Sequence, residues 1–125
     1  MSRKKFIERN GATCINWYWS WSFVNEEKKL ILFGAWEDHI KGGRAHIFSE
    51  NWEIRRDRRQ NAWPQSREHI RLLEEEGYEL RIFKMVCDDL GASIGTGPRK
   101  IKSFDPNLLS AKLVREGRDW IATVL

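Results

Sequence analysis

Residues 12 to 24 alternate with a period of two. Trp17, Trp19, Trp21 and Phe23 fall on one parity, and Asn16, Tyr18, Ser20 and Ser22 fall between them. That period marks a half-buried strand, so the stretch is predicted to be a strand with four large rings along one face. NEEK at 25–28 is a polar turn. KLILFGAW at 29–36 is apolar on both faces, as a central strand covered on both sides would be. The two strands make a hairpin. Ahead of them, SRKKFIER reads as a short helix capped by Ser2 and ended by Asn10-Gly11, docked through Phe6 and Ile7. After them come the loop EDHIKGGRA, the short strand HIFS, and NWEIRRDRRQN, read as a strand that becomes a basic loop. Pro64 suits the first turn of a second helix, with Ser66 as an alternative cap. Ile70 and Leu73 form its buried stripe, Leu72 lies beside them, and Gly77 stops it. Glu74 to Glu76 oppose the helix dipole, so basic neighbours are expected there. YELRIFKMVC at 78–87 alternates as a strand, DDLGASIGTGPRK is a Gly-rich loop, KIKSF is a short strand, and AKLVREGRDWIATVL is a hairpin around Glu116-Gly117.

The order is helix, three strands, helix, four strands. The expected fold class is α+β and strand-rich: a small curved antiparallel sheet or partial barrel with one or two helices. At 125 residues the chain is read as one domain, 1–125, large enough to bury a core.

Charge changes the picture more than composition does. The net charge is +4, and the cations are gathered. Lys41, Arg44, Arg55, Arg56, Arg58 and Arg59 lie within residues 41–60, and Arg99, Lys100 and Lys102 form a second group. The acids collect at Glu26-Glu27, Glu74–Glu76 and Asp88-Asp89. Such polarity suits a polyanion on one side, although two solvated faces would read the same way. Cys14 and Cys87 form no CxxC, and His39, His46 and His69 lack zinc-ligand spacing. No metal or cofactor is expected. The opening MSRKKFIERN has no apolar run, and no stretch is long enough to span a membrane, so a cytoplasmic protein with reduced thiols is expected.

The aromatic strand admits two readings. Its rings can fill the core, or some of them can wall a pocket that stacks on a base, at roughly 1 to 3 kcal/mol per ring. Trp17, Trp19, Trp21 and Trp36 are the pocket candidates. Asn16, Tyr18 and Ser20, on the other face, are candidate readers of a base edge. The segment RRDRR fits phosphate, because guanidinium groups match phosphate oxygens in a bidentate fashion. Lys41, Arg44, Arg55, Arg56, Arg58, Arg59, Arg99 and Lys100 are therefore the candidate phosphate contacts. GASIGTGPRK fails both the P-loop pattern and GxGxxG. Asp38 with Glu53-Ile54-Arg55 is the nearest approach to a metal-nuclease Asp…Glu-x-Lys, and Arg there lacks the titratable amine a general base needs. No catalytic residue is assigned.

The runs FIERNGATCINWYWSWSFVNEEKKLILFGAWED, residues 6 to 38, and SREHIRLLEEEGYELRIFKM resemble the N-terminal recognition domains that precede HNH nuclease domains in McrA-like modification-dependent restriction enzymes. The resemblance covers most of the chain. It implies a reader of double-stranded DNA carrying a methylated or hydroxymethylated base, with an SRA- or PUA-like curved sheet that takes the base into an aromatic pocket. It also implies a separate HNH nuclease domain as partner, since no HNH motif occurs here. Extruding a base costs a few kcal/mol, which ring stacking and edge hydrogen bonds would offset. The rival readings are an RNA-binding PUA-like domain, a small metal-dependent nuclease, and a protein-interaction module.

Overall fold

The computed structural model describes residues 2–87 and 101–125. The Gly-rich segment with Arg99 and Lys100 lies outside the described residues.

The first helix, α1 (Arg3–Arg9), starts where expected: the Ser2 side chain accepts from the Lys5 amide. It ends at Asn10-Gly11. Gly11 has φ +73°, and a Cβ there would meet Nδ2 of the Asn25 side chain at 2.6 Å, so the turn favours glycine. Phe6 and Ile7 are buried against the sheet, with the Phe6 ring 5.7 Å from Phe83 and 5.4 Å from Phe104.

The expected hairpin is present with a shorter first strand. β1 (Ser22–Asn25) pairs antiparallel with β2 (Leu30–Trp36). Residues 12–21 do not form a strand; only Thr13 bridges to Val24. The segment turns instead. The Ser20 amide donates to the Asn16 carbonyl (3.0 Å), the Tyr18 amide to the Asn16 side-chain oxygen (2.8 Å), and the Asn16 amide to Ser20 Oγ (3.3 Å). Asn and Ser offer the backbone local partners in this way and outcompete a strand ladder.

β2 is central, as its two apolar faces require. Ile31, Phe33 and Ala35 enter one core cluster and Leu32 enters the other. Its second neighbour is β7 (Glu79–Cys87), parallel and in register from Leu30↔Glu79 to Trp36↔Met85. This parallel pair departs from the expected antiparallel sheet. A parallel pair needs a long crossover, and the chain between the two strands holds β3 (Ile40–Lys41), β4 (Arg44–Ser49), β5 (Ile54–Arg55), β6 (Arg58–Arg59) and α2 (Trp63–Glu75). β8 (Ile101–Phe104), β9 (Leu109–Glu116) and β10 (Asp119–Val124) complete the fold, with the last two forming the terminal hairpin around Gly117. The main sheet runs β1-β2-β7-β9-β10-β4-β3, with β8 also on β7. It is α+β, strand-rich, mixed, curved and open.

The two faces of the sheet carry different covers. On one side Phe23, Leu32, Phe83 and Met85 pack with α1. On the other, Ile31, Phe33, Phe48, Ile82 and Trp120 pack with α2. Trp120 is wholly buried, and its indole N–H donates to Glu74 (3.1 Å). The remaining acids at the end of α2 meet Arg71, one turn back, which pairs with Glu75 and Glu76. This is the basic neighbour their position called for. Ser66, the alternative cap, is instead a fully buried residue inside α2.

Candidate nucleic-acid interface

Two projections leave the sheet beside the first turn of α2. The first is an arginine arm. β5 and β6 form a two-stranded sheet of their own, with pairs Ile54↔Arg59 and Arg55↔Arg58. Arg56 and Asp57 at its tip have φ of 52° and 62°, both left-handed, as a type I′ hairpin turn demands. The Gln60 amide closes the base on the Glu53 carbonyl (2.8 Å), and the Trp63 amide then donates to the Gln60 carbonyl (3.1 Å), so α2 follows at once. Arg56, Arg58 and Arg59 are exposed and Arg55 is half-buried. Arg55 stands directly opposite Arg58, and like charges facing each other across a ladder are mutually unfavourable. Arg59 pairs with Glu53 at 3.4 Å.

The second projection is the finger Ile15–Ser20. Its root is fixed to α2 by Gln65, whose side chain accepts from the Ile15 amide (2.7 Å) and donates to Ser20 Oγ (2.8 Å).

Between the projections lie half-buried rings. Trp21 meets Trp52 edge-on at 6.1 Å, and the His46 ring is 4.7 Å from Trp52. His46 Nε2 is 3.1 Å from Asp119. The turn before the arm is tied to the β9–β10 hairpin through Glu50, which pairs with Arg115 (3.1 Å) and Arg118 (3.3 Å). Arg44 pairs with Glu116 of the same hairpin.

The four-ring wall expected from the alternation does not form. Without a strand through 16–21, the odd residues have no common face. Trp17 stacks on Phe23 (5.8 Å, 17° between planes) on the α1 side, and Trp36 packs with the same cluster. Trp21 packs on the α2 side. Trp19 is half-buried in the finger. The polar readers also separate. Ser20 is buried and used by Gln65, Asn16 is spent on its own turn, and Tyr18 alone faces outward. A cleft of about 340 Å³ is lined by Phe6, Arg9, Asn10, Pro106, Asn107 and Leu108, none of them a pocket candidate. Among the phosphate candidates, Arg55, Arg56, Arg58 and Arg59 come together on the arm. Lys41 and Arg44 flank the Gly42-Gly43 turn between β3 and β4.

Sequence reasoning passed over Arg115, Arg118, Trp52 and the His46–Asp119 pair. A signal existed for the two arginines: cations beside a hairpin turn at Gly117 must lie at an exposed end. It also passed over a buried polar cluster. Ser22 Oγ lies 2.7 Å from Ser66 Oγ and 2.6 Å from His69 Nδ1, and all three residues are buried. Burial pushes the His69 imidazolium down to about 4, against a smaller opposing pull from Glu68. The cluster clamps β1 to α2.

Among the described residues no group of three or more His, Cys, Asp or Glu is placed to hold a metal ion, and no helix is long and apolar enough to cross a membrane. Cys14 is a free thiol. No family model, curated protein or solved structure matches the chain.

Proposed function

We propose that this chain is a DNA-binding module that grips the duplex backbone with the β5–β6 arm and senses a modified base beside it, with cleavage left to a separate nuclease domain. The observation that carries this reading is the arm itself: four arginines on a two-stranded ribbon outside the main sheet, with two of them opposed across the ladder. A ribbon of this width fits the major groove, and its guanidinium groups fit phosphates. Arg115 and Arg118, paired with Glu50, tie the β9–β10 hairpin to the turn before the arm. The aromatic rings nearest the arm are the half-buried Trp21, Trp52 and His46, rather than the row first expected. Asp119, beside His46, is an acceptor suited to an exocyclic amine such as that of cytosine. The likeness to the recognition domains of McrA-like enzymes adds the modified base and the HNH partner.

The test compares binding of unmodified, methylated and hydroxymethylated duplexes at two salt concentrations without added metal. The wild type is expected to prefer one modified duplex by about tenfold, the value of a single small apolar or polar contact. Arg56→Ala with Arg58→Ala should lower the slope of log affinity against log salt by about 2 and leave the preference intact. Equal binding of all three duplexes with an unchanged slope in the double variant would sink the proposal. Tighter binding to structured RNA of equal length would replace DNA by RNA as the ligand.

A further inference from the structure

Four large hydrophobic side chains are exposed among the described residues. Three stand on the two projections: Ile15 (77%) and Tyr18 (97%) on the finger, and Ile54 (62%) on the arm; the fourth is Leu125. A lone exposed tyrosine is ordinary. Tyr18 differs in how it is presented. Its own amide is held by Asn16, the turn is closed by the Ser20 amide, and the root is pinned twice by the buried Gln65. A six-residue loop is thus ordered in advance, with a nearly bare ring at its apex.

The neighbourhood is cationic. Residues 12–25 carry no charge of their own. Helix α1 supplies it: Arg3 donates to the Trp17 carbonyl (3.0 Å), and the Lys4 ammonium lies over the Trp17 indole, 5.7 Å from its centre. A pre-ordered aromatic face with cations beside it is the arrangement that binds unpaired nucleotides, the ring taking the base and the cation the phosphate.

We infer that Tyr18 is a stacking platform for an unpaired nucleobase, with Lys4 contacting the adjoining phosphate. This rests on the reading of the chain as a nucleic-acid-binding module and adds a second contact, separate from the arm. Finger and arm spring from the same end of α2, and Trp21 touches Trp52 between them. A duplex held by the arm would therefore present a displaced or mismatched base to the finger. The apolar tip would also suit a protein partner, but the flanking Lys4 favours a polyanion.

The experiment uses the full chain and two probes: a single-stranded oligonucleotide containing 2-aminopurine, and a duplex with 2-aminopurine at one central mismatch. A matched duplex serves as control. The wild type should quench 2-aminopurine on binding, the mark of ring stacking. Tyr18→Ala should abolish the quench and weaken binding to both probes about tenfold, with the matched duplex unchanged within about twofold. Tyr18→Phe should behave as wild type, because the ring and not the hydroxyl is required. Lys4→Gln should lower the single-strand salt slope by about 0.7. If the wild type binds the matched duplex yet Tyr18→Ala is indistinguishable from it on both probes, the platform is overturned and the arm reading survives. If the wild type binds no DNA at all, both fall.

Discussion

The finger at Ile15–Ser20 and the arm at Ile54–Arg59 leave the molecule beside the same turn of α2, yet they are held in different ways. The finger is anchored from within. Gln65, buried under it, makes two hydrogen bonds to it, and the Ser22–Ser66–His69 cluster fixes the strand that follows. The arm is held at the surface, through two ladder pairs, one closing backbone bond and the Arg59–Glu53 ion pair, with two non-glycine residues at positive φ at its tip. Buried polar bonds are costly to break, because each orphaned partner pays its full desolvation penalty. Exposed ladders and surface ion pairs contribute little. The finger accordingly presents one ring on buried polar bonds, and the arm presents charge on an exposed ladder.

Acid separates the two most strongly. His69 takes up a proton at about 4 in the folded chain and near 6.5 when unfolded, so below about 6.5 the unfolded chain binds more protons. Stability is therefore complete above about 6.5 and is lost as pH falls toward about 4, by an amount on the order of 3 kcal/mol. Denaturant titrations across this range should show the loss, and His69→Gln should flatten it. A wild-type profile without that decline would mean the clamp is not closed over the imidazole.

Removing the anchor comes next. Gln65→Ala removes the partner of the Ile15 amide and one of the two bonds to Ser20 Oγ and is expected to cost about 2 kcal/mol, read as a shift in denaturation midpoint. Amide exchange of residues 15–20 should rise while that of the arm stays as it was. The arm has a smaller lever. Asp57→Gly relieves one left-handed residue and removes one acid from among the arginines. It should stabilise the chain by up to about 1 kcal/mol and tighten duplex binding. Smallest is Tyr18→Ala, whose thermal midpoint should match wild type within the equivalent of about 0.5 kcal/mol, since the ring is 97% exposed. A larger drop would show that the ring packs on something.

The contrast also explains what could be read in advance. β2 was legible because a long apolar run leaves the backbone one way to bury it, β7 from its alternation, and α2 from Pro64, Gly77 and its spaced Ile70 and Leu73. The finger was not. Its alternation is as regular as that of β7, but Asn16 and Ser20 satisfy the local backbone themselves, and periodicity says nothing about that competition. The arm failed in the opposite sense: RRDRR has no strand pattern, yet Arg56 and Asp57 accept the turn that makes a hairpin. The cations of the site were visible as residue types. The pairing of Trp21 with Trp52 and the hold of Gln65 on the finger depend on contacts 31 and 50 residues apart along the chain, which no local pattern reports.

Because one helical end roots both projections, their separation behaves like the jaw width of a calliper. An insertion between Gln60 and Trp63 would change that gauge without touching a ligand-facing side chain. On the proposed reading, in which the arm holds a backbone and the finger a base, the molecule would select for the distance between the two, whatever the sequence connecting them.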